Sequence, residues 1–406
     1  MQNAKLLRQR QLATDAELQC LKVARLLRDV CGSHRPAQFP AKAVKKIVNL
    51  RDNYSTVMED IIVCPAFADV HVHFREPGFS YKETILTGCR AAVAGGYTCV
   101  CPMPNLNPAP DCPENLEKEL EIIRRDAVID VRPYGTITLG RKGEGLVDFK
   151  TMKTSVVAFS DDGSGVGGDD LMREAMKAAA AEKVILAAHC EDKRFGESAQ
   201  SEWQMIERDI ALAQETGCAY HVCHISSRKS VELIRDAKKR GVNVTCETAP
   251  HYLLLCEDDV ADDGRFRMNP PLRSADDRAA LIEGLCDGTI DMIATDHAPH
   301  SAEEKSRGFK GSVMGIVGLE TAFPLLYTYL VRKGVITLSR LIDLMSTNPR
   351  RRFRLGDARE DKAIFEVGTP YKIDSSSFRS MGRSTPFDGW EVYGRHIRTI
   401  FRGREI

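Results

Sequence analysis

Residues 65–78 read PAFADVHVHFREPG, an apolar run that ends in two histidines one residue apart, followed at once by an arginine. In an extended strand alternate side chains share a face, so His71, His73 and Arg75 are expected to project together from the strand's end. Two imidazoles and a guanidinium gathered there read as a site rather than as packing.

The same grammar repeats downstream. Residues 97–103 (YTCVCPM), 130–137 (DVRPYGTI), 155–160 (SVVAFS), 183–189 (KVILAAH), 218–225 (CAYHVCHI), 242–248 (VNVTCET) and 290–297 (IDMIATDH) are short strand-like runs, and a stretch able to form a helix or helical turn follows each. With 66–74 (AFADVHVHF) they make eight rounds, the pattern of parallel strands joined by helical crossovers. Eight such rounds predict an α/β fold, a (β/α)8 TIM barrel, which needs roughly 250 residues. The crossovers agree: 167–183 (GGDDLMREAMKAAAAEK) is rich in helix formers with acids in its first turn, and 226–241 (SSRKSVELIRDAKKRG) runs from a serine cap to a glycine stop.

These signals place the barrel at 61–355, closed by 346–356 (STNPRRRFRLG), and leave 356–406 as a small β element that returns to alternation in 388–406 (DGWEVYGRHIRTIFRGREI). Residues 1–60 are expected to supply the other part of that small domain. There, 13–30 (ATDAELQCLKVARLLRDV) offers a capping box from Thr14 to Glu17 and apolar positions Leu18, Leu21, Ala24 and Leu27 at helical spacing. Residues 45–50 (KKIVNL) and 59–64 (EDIIVC) read as strands.

Composition narrows the function. The 406 residues carry 57 acidic and 57 basic side chains, so no global field favours nucleic acid or an anionic membrane, and a small-molecule substrate is expected. The start of the chain lacks the order of a secretory signal, and no run approaches the ~18 apolar residues of a membrane span, which points to the cytoplasm. The cysteines number 13, and Cys99, Cys101, Cys190, Cys223 and Cys246 fall inside apolar strand-like runs, so they read as reduced core residues.

In a barrel of this kind the active site lies at the C-terminal ends of the strands. Strand one ends with His71 and His73, strand four with Asp161 and Asp162, strand five with His189, strand six with His224 and strand eight with Asp296. Imidazole and carboxylate suit zinc or a similar divalent metal, and this set exceeds what one tetrahedral ion requires. Two ions about 3.5 Å apart would use them all, with a carboxylate between to offset their repulsion. Asp162 is the candidate for that place; Asp161 is its neighbour, and spacing alone does not choose between them. His221, three positions before His224, reads as structural, as do the isolated His34 and His396, while His251 stays open. Arg75, Asn105 at the end of strand two and His300 suit a substrate bearing a carboxylate, which an arginine can hold bidentately.

The motifs at 69–78 (DVHVHFREPG), 103–105 (MPN), 158–166 (AFSDDGSGV), 188–192 (AHCED), 221–226 (HVCHIS), 268–274 (MNPPLRS) and 293–300 (IATDHAPH), in this order and at these intervals, resemble the dihydroorotase family of the amidohydrolase superfamily in its bacterial-type form. A further family-like piece lies at 374–392 (DSSSFRSMGRSTPFDGWEV). The resemblance implies a barrel with two zinc ions per subunit and the reversible cyclisation of N-carbamoyl-L-aspartate to L-dihydroorotate in pyrimidine synthesis. It implies His71, His73, Asp162, His189, His224 and Asp296 as ligands. It also implies Arg75, Asn105 and His300 around the substrate carboxylate. In the implied mechanism a metal-bridging hydroxide attacks the amide carbonyl and Asp296 shuttles the proton as general acid/base. Some relatives bridge the metals with a carboxylated lysine, where this chain offers an aspartate. Family habit adds a homodimer and an association with aspartate transcarbamoylase.

The chain also departs from the family. Residues before 61 do not resemble the usual strand-rich half of the flanking domain, and the connection after AHCED is short, which would leave the rim more open. The competing readings are another cyclic amidohydrolase, of hydantoinase, dihydropyrimidinase or allantoinase type, and an inactive dihydroorotase-like partner of the transcarbamoylase.

Overall fold

The structure is a computed structural model describing the backbone of residues 56–58 and residues 60–406. The helix expected at 13–30, the strand at 45–50 and His34 lie outside the described residues. Strands β1 (Thr56–Met58) and β2 (Ile61–Pro65) pair antiparallel. The chain then runs through β3 (Phe67–Val72), β4 (Tyr97–Pro102), β5 (Asp130–Val131), β6 (Ile185–Ala188), β7 (Ala219–Val222), β8 (Val244–Thr248) and β9 (Met292–Ile293). Every ladder among these strands is parallel. Two joints complete a ring: Phe159 bridges Gly135 on one side and Leu186 on the other, and His297 bridges Val72. Segment 155–160 is thus the fourth stave, reduced to a bridge, and the eight expected runs close into a barrel.

Helices on the outside follow the local signals. Helix α1 (Ile85–Ala94) starts at a Thr84–Thr87 capping box. Helix α2 (Pro113–Asp126) has proline at its start, and α3 (Asp169–Glu182) begins with two acids that favour a helix N-terminus. After α4 (Ala199–Thr216), α5 (Arg228–Lys239) is capped by Ser227, whose side chain accepts from Ser230 N, and the turn at Gly241 takes φ 78. Helix α6 (Ala275–Asp287) opens on a Ser274–Asp277 capping box.

The barrel interior is filled by small residues, Ala68, Cys99, Cys101, Ala158, Ala187 and Ala294, with Met103 and Met292. Tyr134 and Phe353 add bulk, their rings edge-on at 6.3 Å, and the Tyr134 hydroxyl donates to Val70 O at 2.9 Å. Phe353 comes from RRRFRLG, so that arginine-rich segment also delivers an aromatic plug. All described cysteines are free thiols.

The first strand departs from simple alternation. Its register with β4 shifts between Asp69 and Val72, where the buried Asp69 carboxylate accepts from His71 N (3.0 Å) and Thr295 N (3.1 Å). Such irregularities re-aim side chains next to active sites. The strand ends at Val72, and Arg75 sits at φ 62, so the expected run of three side chains on one strand face does not extend to Arg75.

Beyond the barrel, β10 (Lys362–Glu366), β11 (Tyr371–Lys372), β12 (Glu391–Val392), β13 (Arg395–Phe401) and β14 (Arg404–Glu405) follow. They join the N-terminal hairpin in a sheet ordered β1-β2-β10-β13-β14, with β11 and β12 paired apart. This tail shares the barrel's core: the Phe365 ring stacks on Phe323 at 3.8 Å and on Phe67 at 5.8 Å, and Thr399 Oγ1 donates to Val93 O at 2.8 Å.

Segment 378–385 returns to the barrel rim, where the Glu320 carboxylate accepts from Arg379 N (2.8 Å) and Ser380 N (3.1 Å). Burial pushes Glu320 up to about 7 despite these donors. The folded protein therefore holds this proton more tightly than the unfolded chain. Its contribution to stability is full below the unfolded value near 4.5 and is lost as pH rises through about 7. Relative to Glu320→Gln, the parent is expected to lose on the order of 2 kcal/mol between pH 5 and pH 8. Urea unfolding of both proteins at the two pH values checks this; parallel pH dependences would show that the carboxyl does not titrate in this range.

Candidate metal centre and substrate rim

Six side chains from five staves meet at the C-terminal mouth of the barrel, all of them buried. Asp162 is at the middle. Its Oδ1 lies 3.4 Å from His71 Nε2, 3.7 Å from His224 Nε2 and 3.8 Å from His189 Nδ1, and its Oδ2 lies 3.6 Å from His73 Nε2. Asp296 Oδ1 lies 3.0 Å from His73 Nε2 and 3.5 Å from His71 Nε2. Asp161 faces away, accepting from Ile137 N (2.8 Å), Thr138 N (3.1 Å) and the Thr138 hydroxyl. Asp162 is therefore the member of the pair that meets the histidines.

Backbone geometry at the mouth is held against preference. His224 sits at φ 32 and Asp296 at φ 48, positive values uncommon outside glycine, though histidine and aspartate take them more often than most residues. Such positions cluster at functional sites.

The donor set fits a cation. His71 Nε2 and Asp162 Oδ1 are buried without a hydrogen-bond partner, yet they face each other at 3.4 Å. Two groups, His71 with Asp162 and His224, and His71 with His73 and Asp296, each bring one ligand atom per residue within 4.8 Å of one another. A third grouping joins His71 to Cys223 and Glu247. Burying this many lone pairs and carboxylates without positive charge is costly, and metal binding removes the cost. Electrostatics agree: burial alone would raise the Asp162 carboxyl, but His71, His224 and His73 pull it well below the usual range.

The imidazoles are anchored from behind. Glu247 Oε1 accepts from His71 Nδ1 at 2.7 Å, and its Oε2 lies 3.2 Å from His221 Nε2. His221 Nδ1 meets Thr245 Oγ1 at 2.9 Å, so His221 supports Glu247 from inside the barrel. Asn105 Oδ1 lies 2.9 Å from His73 Nδ1. His189 Nε2 is approached by Glu191 and Asn269, both at 3.3 Å. His251 is buried with Nε2 unpaired, and burial pushes it down to about 4. His396 lies in the small sheet, bonded to Thr399 Oγ1 at 2.8 Å.

Arg75 and His300 share the rim. Arg75 Nη2 lies 3.2 Å from His300 Nε2, and Arg75 Nε donates to Pro299 O at 3.3 Å. Lys82 Nζ donates to His300 Nδ1 at 3.1 Å, which leaves the ring proton on Nε2, directed at Met314 O 2.8 Å away. Burial, with Arg75 and Lys82 beside it, pushes His300 down to about 3 and keeps it neutral.

A profile of the dihydro-orotase-like family matches residues 60–202. The dihydroorotase of Ligilactobacillus salivarius is 48% identical over 372 residues, covering 85% of this chain and 87% of its own length. The dihydroorotase of Bacillus caldolyticus is 48% identical, with coverage of 84% and 86%. The chain belongs to the dihydroorotase family. Among solved structures, the L-hydantoinase (dihydropyrimidinase) of Arthrobacter aurescens superposes with a TM-score of 0.78 at 27% identity, over 85% of each chain. The dihydropyrimidinase of Brevibacillus agri NCHU1002 superposes at 0.75 and 21% identity, over 85% of this chain and 84% of its own, a likeness of fold alone. The dihydroorotase family is one of metal-dependent hydrolases acting on cyclic amides, and among the described residues no helix is long and apolar enough to cross a membrane.

Sequence reading missed Glu247, Asn269, Glu191 and Lys82 in this dihydroorotase-family site. Glu247 had a signal: an acid two residues after Thr245 in a strand otherwise built of apolar and β-branched residues. Glu247→Ala is expected to weaken metal binding or activity about 10- to 100-fold, as loss of a carboxylate behind a ligating histidine does. Metal content after dialysis against graded zinc checks this; unchanged retention and activity would make Glu247 a packing residue.

Proposed function

We propose that the protein is a dihydroorotase that interconverts N-carbamoyl-L-aspartate and L-dihydroorotate for pyrimidine synthesis. His71, His73, Asp162, His189, His224 and Asp296 would hold two zinc ions. The carrying observation is Arg75. It is buried, it donates to Pro299 O, its Nη2 lies beside His300 without an acceptor there, and among the described residues no carboxylate pairs with it. A buried guanidinium without a carboxylate calls for one, and the substrate ring bears it.

When bound, the metals lower the pKa of water and polarise the amide carbonyl as Lewis acids. The chain's own groups do the rest. Arg75, His300 and Asn105 orient the ring through its carboxylate. Asp296 takes the proton of the attacking water and passes it to the departing ring nitrogen, and cyclisation uses the same groups in reverse. Glu247 fixes the tautomer of His71, and the buried walls keep bulk water from the reacting bond.

This reading keeps the catalytic barrel within 61–355, of which Ile61–Pro65 pairs into the flanking sheet, and assigns 356–406 and the N-terminal 60 residues to the flanking domain. It also carries a cytoplasmic homodimer able to associate with aspartate transcarbamoylase. Sedimentation at micromolar concentration, alone and with the transcarbamoylase, tests the assembly.

The deciding experiment compares hydrolysis of L-dihydroorotate with that of dihydrouracil and hydantoin, rings without the carboxylate. Dihydroorotate is expected to be preferred, and Arg75→Gln to raise its KM by at least ~10-fold, as loss of a buried charge partner does. A parent that prefers the carboxylate-free rings would make it a hydantoinase-type enzyme instead.

A further inference from the structure

Segment 378–385 belongs to the family-like piece at 374–392, and nothing in the site described so far gives it a task. It packs beside the DHAPH motif through two contacts. The first is Glu83, fully buried just before α1. Its Oε2 accepts from the Ser380 hydroxyl and lies 3.5 Å from His297 Nε2. Its Oε1 accepts from Met381 N at 3.2 Å and from the Thr87 hydroxyl. The second contact is Gly382, where a Cβ would fall 2.8 Å from Pro299 Cβ and 2.7 Å from Val317 Cγ1, so the segment lies too close for any side chain. Ser380 Oγ accepts from Gly382 N at 3.0 Å, and Ser384 O accepts from Val317 N at 2.9 Å, which links the two contacts.

Both contacts fall just downstream of Asp296, on His297 and on Pro299. The φ of 48 at Asp296 is uncommon for a residue with a side chain, and such positions concentrate at functional sites whose surroundings fix them. Upstream, Thr295 N is tied to the Asp69 carboxylate at 3.1 Å. Downstream, His297 Nδ1 accepts from Gly318 N at 3.2 Å, which puts the ring proton on Nε2, toward Glu83. The carbonyl of His297 accepts from His73 N at 2.8 Å, and that of Pro299 accepts from Arg75 Nε at 3.3 Å. A shift of His297 or Pro299 would therefore reach both the metal centre and the carboxylate seat.

We propose that residues 378–385 are a positioning strap for Asp296, acting through Glu83 on His297 and through Gly382 on Pro299, with Ser380 and Glu83 as positioning residues. This rests on the reading of Asp296 as ligand and proton carrier. It gives the C-terminal segment a part in catalysis although none of its side chains is asked to touch substrate.

The test uses the full chain loaded with cobalt(II), whose visible absorption reports the geometry of the ligands around it. Ser380→Ala and Gly382→Ala are expected to keep the parent's cobalt stoichiometry and circular dichroism while shifting the visible bands. Each is expected to lower kcat for dihydroorotate by about 10-fold, the lower range for supporting groups around a metal site, with KM changed less than about twofold. Bands and kcat both unchanged in Ser380→Ala would overturn the strap, and so would losses that only track lost cobalt or a lost fold. Should the parent fail to hydrolyse dihydroorotate, the functional reading falls, and the cobalt bands of the two variants still decide the strap.

Discussion

Asp296→Asn is expected to lower kcat for dihydroorotate hydrolysis by at least ~100-fold, the contribution typical of a general acid/base. The substitution keeps the shape of the side chain. An amide oxygen can still take the place of the carboxylate oxygen, which lies 3.0 Å from His73 Nε2 in the parent, but the group can no longer accept and return a proton. Asparagine is also a weaker ligand than a carboxylate, so metal content must be measured beside the rate. With both ions retained, the loss belongs to proton transfer. KM should change far less than kcat, because Arg75, Asn105 and His300 are untouched. A variant that keeps its metals and more than about a tenth of the parent's kcat would move the proton-carrying role to another group. His251 would be the next to examine, since it is buried beside the site with a free ring nitrogen.

Most of the barrel could be read because each stave is a short apolar run with a polar residue at its C-terminal end. Strand six shows the limit. His221 and His224 are three residues apart, and both are buried, one inside the barrel and one at its mouth. The left-handed turn at His224 makes this possible, and no periodicity announces it. The first strand repeats the lesson, since the irregularity at Asp69 aims His71 and the turn at Arg75 ends alternation just where the site begins. Residues whose partners are remote in sequence were the least legible. Glu83 meets Ser380 and Glu247 meets His71 only after closure of the ring, and a buried acid carries no mark in the sequence of the group it will pair with.

Removing the metal is expected to have the other large effect, on rate and stability together. Dialysis against a chelator should lower dihydroorotate hydrolysis by more than ~1000-fold, because ordinary water, with a pKa near 15.7, is then left as the nucleophile. The thermal midpoint should fall as well. A ligand that binds only the folded state stabilises it by about 2.7 kcal/mol at a free concentration of 100 Kd, and chelation withdraws that term. The mouth of the barrel gives the structural reason. His71 Nε2 and Asp162 Oδ1 have no hydrogen-bond partner, and Asp162, Asp296 and Glu247 are three buried carboxylates gathered around His71. Without the cations these charges are offset only in part, by Arg75 and Arg141 nearby and by protonating imidazoles, which burial opposes. Zinc added back should restore rate and midpoint in parallel, with stoichiometry rising toward two per chain. A protein that keeps its activity after verified metal removal would refute the metal assignment. One that loses activity with no change in midpoint would place the essential metal away from this buried cluster.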